Sequence, residues 1–131
     1  MFRHIAASLA LVAATVLAAA PAFATDFLRA IEDVPLPAGL TEEAEPVVFE
    51  SDQGRVVQTV AAGNIRTAEI SAFYTASLPS LGWKPIASDT ALSFERENER
   101  LNITMREPAN AAPITVRFEL IVKLASTRLA D

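Results

Sequence analysis

His4 is the only imidazole in the sequence and no cysteine accompanies it, so the groups available for chemistry are carboxylates, guanidiniums, amines and hydroxyls. His4 also lies inside a segment that reads as an export address. Arg3 and His4 form a short basic head, residues 5–20 are an uncharged Ala/Leu/Val-rich run, and Pro21-Ala22-Phe23-Ala24 places small residues where a signal peptidase reads them. Cleavage is expected between Ala24 and Thr25, leaving a mature chain of residues 25–131 with neither imidazole nor thiol. The apolar run is shorter than the ~20 residues that a bilayer core demands. Retention as an anchor is therefore the alternative reading, and no stable membrane span is expected after cleavage. Without a cysteine there is no lipid attachment, so the expected location is the periplasm or the exterior.

This inventory weakens most catalytic schemes. Nucleophilic catalysis pairs a hydroxyl or thiol with a base, and a Ser/Lys arrangement is the version left. Lys84 and Lys123 fall near element ends, where solvation is the expected state. Zinc, copper and iron sites draw on imidazole or thiolate, which leaves an all-carboxylate calcium or magnesium site. Glu42, Glu43 and Glu45 are the obvious cluster, but no Asp-x-Asp-x-Asp-Gly spacing occurs and the cluster reads as surface charge. Gly54, Gly63 and Gly82 are isolated, so there is no glycine-rich phosphate loop. No metal or cofactor is expected. Paired-carboxylate hydrolysis stays open only because carboxylates are numerous.

Charge argues about partners. Eleven Lys and Arg less Arg3 leave ten cations against 16 Asp and Glu, a net charge of −6 for the mature chain. The acids concentrate in residues 25–52, where Arg29 is the lone cation. Such a surface disfavours nucleic acid and anionic lipid, whose binding depends on cations neutralising phosphate.

The elements that must position any site follow from periodicity. Phe27, Leu28 and Ile31 have helical spacing, which predicts a short helix over residues 25–33. Pro35, Pro37 and Gly39 then enforce an extended, turning path through Val34–Leu40, and the apolar residues between these breakers predict an arm lying against the domain. Val47-Val48-Phe49, the turn signal Asp52-Gln53-Gly54 and the β-branched run 55–61 predict a hairpin. Thr67 is placed to cap a helix whose apolar stripe is Ile70, Phe73, Tyr74, Ser77, Leu78 and Leu81, with Gly82 as its left-handed stop. Alternation follows in residues 92–96, 101–105 and 114–123. A turn centred on Asn98-Glu99 would set Arg96 opposite Leu101, Phe94 opposite Ile103 and Leu92 opposite Met105.

One amphipathic helix and one sheet with a single apolar face pack against each other. The expected fold is α+β, with the helix on an antiparallel sheet in the order ββαβββ, room for one further strand, and an N-terminal Pro-rich arm. The divisions are residues 1–24 as signal peptide, 25–46 as acidic Pro-rich lead-in and 47–131 as a single α+β domain. Tyr74 and Trp83 flank the helix end and are tentative ligand or partner contacts, although anchoring the helix to the sheet explains them as well. Ile121 is an apolar residue on the otherwise polar outer face, alongside Glu95, Arg106, Arg117 and Glu119, and is the third tentative contact.

These pieces resemble a group of small uncharacterised bacterial envelope proteins. The shared features are Val34-Pro35-Leu36-Pro37-Ala38-Gly39-Leu40, Gly54-Arg55, Phe73-Tyr74, Leu78-Pro79-Ser80-Leu81-Gly82-Trp83 and Phe94-Glu95-Arg96-Glu97. The resemblance implies a fold and a compartment but no reaction and no catalytic residue. The expectation is an exported non-catalytic module that binds a protein or envelope component. The alternatives are a small-ligand carrier with a pocket between helix and sheet, and a carboxylate-based hydrolase.

Overall fold

A computed structural model describes residues 26–108 and 113–124. The expected cleavage site at Ala24 and Thr25 lies outside them. Among the described residues, β1 (Asp26–Phe27) pairs with β2 (Pro35–Leu36) in a small separate ribbon. The main sheet is seven-stranded and antiparallel. It holds β3 (Leu40–Glu42), β4 (Val47–Ser51), β5 (Gly54–Gly63), β6 (Lys84–Ile86), β7 (Leu92–Arg96), β8 (Glu99–Arg106) and β9 (Ile114–Lys123). One helix, α1 (Thr67–Ser77), runs into a single 3₁₀ turn at Pro79–Leu81. The protein is α+β, with the helix packed on the sheet as the periodicity predicts.

Strand order explains why the helix lies where it does. From β3 and β4, which share one side of β5, the sheet continues β5, β9, β8, β7, β6. After β5 the chain must therefore travel to the far edge before it can meander back to β9. It makes that journey as α1, across the inner face. Ile70, Tyr74 and Leu78 are fully buried against Leu101, Ile103, Val116 and Phe118, while Phe73 and Leu81 flank them half-buried. Gly82 takes φ 90° and ends the turn, with its N–H bonded to the Pro79 carbonyl. The next N–H, from Trp83, returns to the Leu78 carbonyl at 3.1 Å.

The lead-in is part of the core. Leu28, Ile31, Val34, Leu36 and Leu40 are buried, and β3 and β6 both join the main sheet beyond the ββαβββ order, one strand more than the sequence made room for. A side chain at Gly63 would run into the Gly39 carbonyl, so the lead-in and β5 are in contact backbone to backbone. Residues 26–33 do not form the expected helix. Leu28 N–H instead bonds to the Val34 carbonyl at 2.9 Å, and Asp33 turns the chain at φ 61°. So short a helix is marginal without tertiary support, and here a loop buries Leu28 and Ile31, leaves Phe27 about half exposed, and pairs its ends as strands.

Two local details also differ from expectation. Arg66, not Thr67, is the N-cap of α1, and it makes no side-chain cap. The Thr67 hydroxyl donates instead to Glu107 at 2.8 Å, tying the helix start to the end of β8. The β7–β8 hairpin is two residues tighter, with Leu92 opposite Ile103, Phe94 opposite Leu101 and Arg96 opposite Glu99. Glu97 at φ 53° closes the shorter loop, and Asn98 Nδ2 donates to the Lys123 carbonyl at 2.7 Å. A slip of two preserves the faces, because side-chain direction repeats every second residue.

Tyr74 is buried at 0% exposure, and its hydroxyl donates to the Pro35 carbonyl at 2.8 Å. Burial pushes its phenol well above the usual tyrosine value. Between the unfolded pKa near ~10 and the folded one, the native state holds more protons than the unfolded chain, so stability falls as pH rises through that window. Tyr74→Phe is expected to lose about 1–2 kcal/mol at neutral pH by orphaning that carbonyl, and to remove this share of the alkaline loss. Denaturant titrations at neutral pH and above pH ~10, compared with the parent, check both effects.

Candidate functional site

The structure separates the three tentative contact residues. Tyr74 packs edge-on to Phe118, with ring centroids 5.8 Å apart, and edge-on to Phe73 at 5.1 Å. Trp83 is 1% exposed under the guanidinium of Arg96, which sits 4.4 Å from its ring centroid. Its indole N–H is buried and meets no acceptor among the described residues. Both rings are therefore packing residues at the interface of helix and sheet. Ile121 is half-buried on the opposite face, so it is not brought together with them.

Arg96 is a structural node that sequence reasoning missed. Its Nη1 donates to Asp33 Oδ2 at 3.0 Å and to the Leu81 carbonyl at 3.2 Å, while Nη2 and Nε reach Glu99 Oε1 at 3.1 and 3.3 Å. Desolvation alone would lower its pKa, but the bonds to Glu99 and Asp33 outweigh it and raise the value. One planar fork thus joins the lead-in loop, the end of the helix turn and the β7–β8 hairpin, and it also covers Trp83. The signal in the sequence was Arg96 three residues before Glu99 across a turn, but Asp33 is distant and Leu81 contributes only its backbone.

Glu42 serves a similar purpose. Its carboxylate accepts from the Arg29 backbone N–H at 2.8 Å and the Thr59 hydroxyl at 3.3 Å, and Arg29 Nε lies 3.6 Å away. Arg29 also approaches Glu45 at 3.6 Å. Part of the acidic cluster therefore fastens the lead-in to β3 and β5.

The outer face carries a different chemistry. Gln58 and Asn102 donate to Glu119 at 3.1 and 3.3 Å, and Arg100 stands 3.9 Å from Glu95. Arg106 and Arg117 make no ion pair among the described residues. Across the strands, Phe49 opposes Val56, Val56 opposes Ile121, and Ile121 opposes Arg100. Phe49, Val56, Ile121 and Lys123 line a cleft of about 290 Å³. Val47, Val48, Phe49 and Leu124 are about half exposed or more, with Phe49 at 59%. All four lie at the end of the sheet where β4, β5 and the last residues of β9 meet, since Leu124 N–H donates to the Gln53 carbonyl at 3.1 Å. Of these, Val47 and Phe49 share the outer face with Val56 and Ile121, whereas Val48, opposite the buried Val57, is on the inner face.

A comparison with known proteins finds no matching family model, no matching curated protein and no matching solved structure. Among the described residues, no helix is long and apolar enough to cross a membrane.

Arg96→Met keeps the apolar stem but strands Asp33, Glu99 and the Leu81 carbonyl. It is expected to cost about 1–3 kcal/mol, at the modest end because Asp33 is largely exposed. Arg96→Lys is expected to recover less than half of that loss, because an ammonium lacks the planar fork. Chemical denaturation of the two variants beside the parent gives the comparison.

Proposed function

We propose that this chain is an exported, non-catalytic binding module, active in the periplasm or outside the cell, that recognises a protein partner through the outer face of its sheet around Ile121. The observation that supports this reading is that Val47 and Phe49, each about half exposed or more, share the outer face with Val56 and Ile121, while the other large apolar side chains among the described residues, Phe27, Val48 and Leu124 apart, are buried or half-buried. The row Phe49, Val56, Ile121 gives that surface an apolar centre, and Arg100 and Lys123 give it a charged rim. An apolar centre with a polar rim is the usual anatomy of a protein interface.

The small-ligand carrier has less support, because Tyr74 and Trp83 face into a filled core instead of lining an opening. The hydrolase reading has less again. Glu42, the carboxylate of the acidic cluster that is best shielded from water, is occupied with Arg29 and Thr59.

Crosslinking of the tagged mature protein in an envelope extract tests the reading. Ile121→Glu is expected to reduce capture of a partner about tenfold, the loss of a single interface anchor. Lys84→Glu at the far edge is expected to leave capture unchanged. Capture that survives Ile121→Glu, or turnover of a substrate by the purified protein, would contradict the proposal.

A further inference from the structure

The outer face of the sheet carries the opposite charge to the chain as a whole. The sequence holds 16 acidic residues to 11 basic ones, yet the strand residues on that face include Lys84, Arg100, Arg106, Arg117 and Lys123 against Glu95 and Glu119. Both carboxylates are already engaged. Glu95 stands opposite Lys84 and 3.9 Å from Arg100, and Glu119 accepts the amides of Gln58 and Asn102, one on each oxygen.

Arg106 and Arg117 are left over. Arg106 lies opposite Thr115 and Arg117 opposite Thr104, so the two arginines are diagonal neighbours on β8 and β9, about 7–8 Å apart. All four of these residues are exposed. Neither guanidinium has an ion-pair partner among the described residues, and Glu43, which follows β3 and bonds to the Val60 carbonyl, makes no ion pair with Arg117. Like charges at this spacing repel, and the fold brings no free carboxylate to them although acids are in excess. We infer that Arg106 and Arg117, with the hydroxyls of Thr104 and Thr115 completing the square, bind carboxylate side chains of an acidic protein partner. This rests on the reading of the outer face as the recognition surface, and it names the chemistry of the partner.

A guanidinium presents a planar fork that matches a carboxylate, and two of them on a diagonal can take two neighbouring Asp or Glu side chains. Ile121 lies four residues from Arg117 on the same strand, about 13 Å away, with Val56 and Phe49 in its row. A single protein surface can therefore meet the arginines and the apolar row together, and arginine beside apolar anchors is a usual composition for such contacts. An extended anion such as a membrane surface would also meet Glu43 and Glu45 at the turn between β3 and β4, which repel it.

NMR titration of the isotope-labelled protein with hexaglutamate at low salt tests the inference, with hexalysine and phosphatidylglycerol vesicles as comparison arms. Hexaglutamate should shift the amides of Thr104, Arg106, Thr115 and Arg117 despite the net negative charge of the protein, and added salt should weaken the binding. Arg106→Gln/Arg117→Gln should weaken it about tenfold, with a thermal midpoint no lower than the parent's because a repulsion is relieved. Arg55→Gln/Arg66→Gln removes the same charge away from this face and should leave the affinity within about twofold of the parent. Absence of hexaglutamate binding, equal losses in the two double variants, or binding of hexalysine or the vesicles in its place overturns the inference. So does partner capture from envelope extract that Ile121→Glu lowers and Arg106→Gln/Arg117→Gln leaves intact, a result under which the proposed function still stands.

Discussion

The hydroxyl of Tyr74 donates to the carbonyl of Pro35, and through that one buried bond the lead-in, the helix and the sheet become a single core. The ring of Tyr74 leans on Phe118 of the sheet, its backbone belongs to α1, and its hydroxyl reaches the ribbon that precedes the sheet. Each layer constrains the other two. An unpaired carbonyl in an apolar interior is costly, so the Pro-rich segment is held by the same residue that seats the helix. Proline suits this position because its missing N–H leaves one fewer buried group to satisfy, while its carbonyl remains available.

Strand order adds a second constraint with a functional consequence. Because β5 and β6 lie at separated places in the sheet, the helix has to cross the inner face, and the lead-in covers what the helix leaves open. Arg96 fastens the seam by joining Asp33, Leu81 and Glu99 above Trp83. The interior that would otherwise hold a ligand is filled with side chains. Apolar surface left over by folding includes Val47 and Phe49 on the outer face, beside Ile121, which is where recognition is proposed.

Much of the fold was legible in the sequence because its periods are strong. The stripe from Ile70 to Leu81, the left-handed stop at Gly82, the hairpin around Asp52-Gln53 and the alternation after Ile114 all reflect local rules that tertiary packing reinforced. Residues 26–33 were misjudged because Leu28 and Ile31 satisfy a helical period and a buried loop equally well, and only pairing of Asp26–Phe27 with Pro35–Leu36 decides between them. Thr67 lost its expected capping role to Glu107, forty residues away. The β7–β8 register differed by a step that leaves the hydrophobic pattern unchanged, so the pattern had no information with which to choose. The site was less legible than the fold. Tyr74 and Trp83 carry the amphipathic character of binding residues, yet their depth depends on the crossing path of α1 and on Arg96. The exposure of Val47-Val48-Phe49 depends on β4 having one neighbour instead of two.

The account rests on the inner face being sealed, and Trp83, the sole tryptophan, reports on it directly. Quenching of its fluorescence by a neutral, water-soluble quencher in the native protein measures access to that face. The sealed core requires a blue-shifted emission that the quencher barely reaches until the protein unfolds. Efficient quenching under native conditions would reveal an opening beside Trp83 and contradict the assignment of recognition to the outer face.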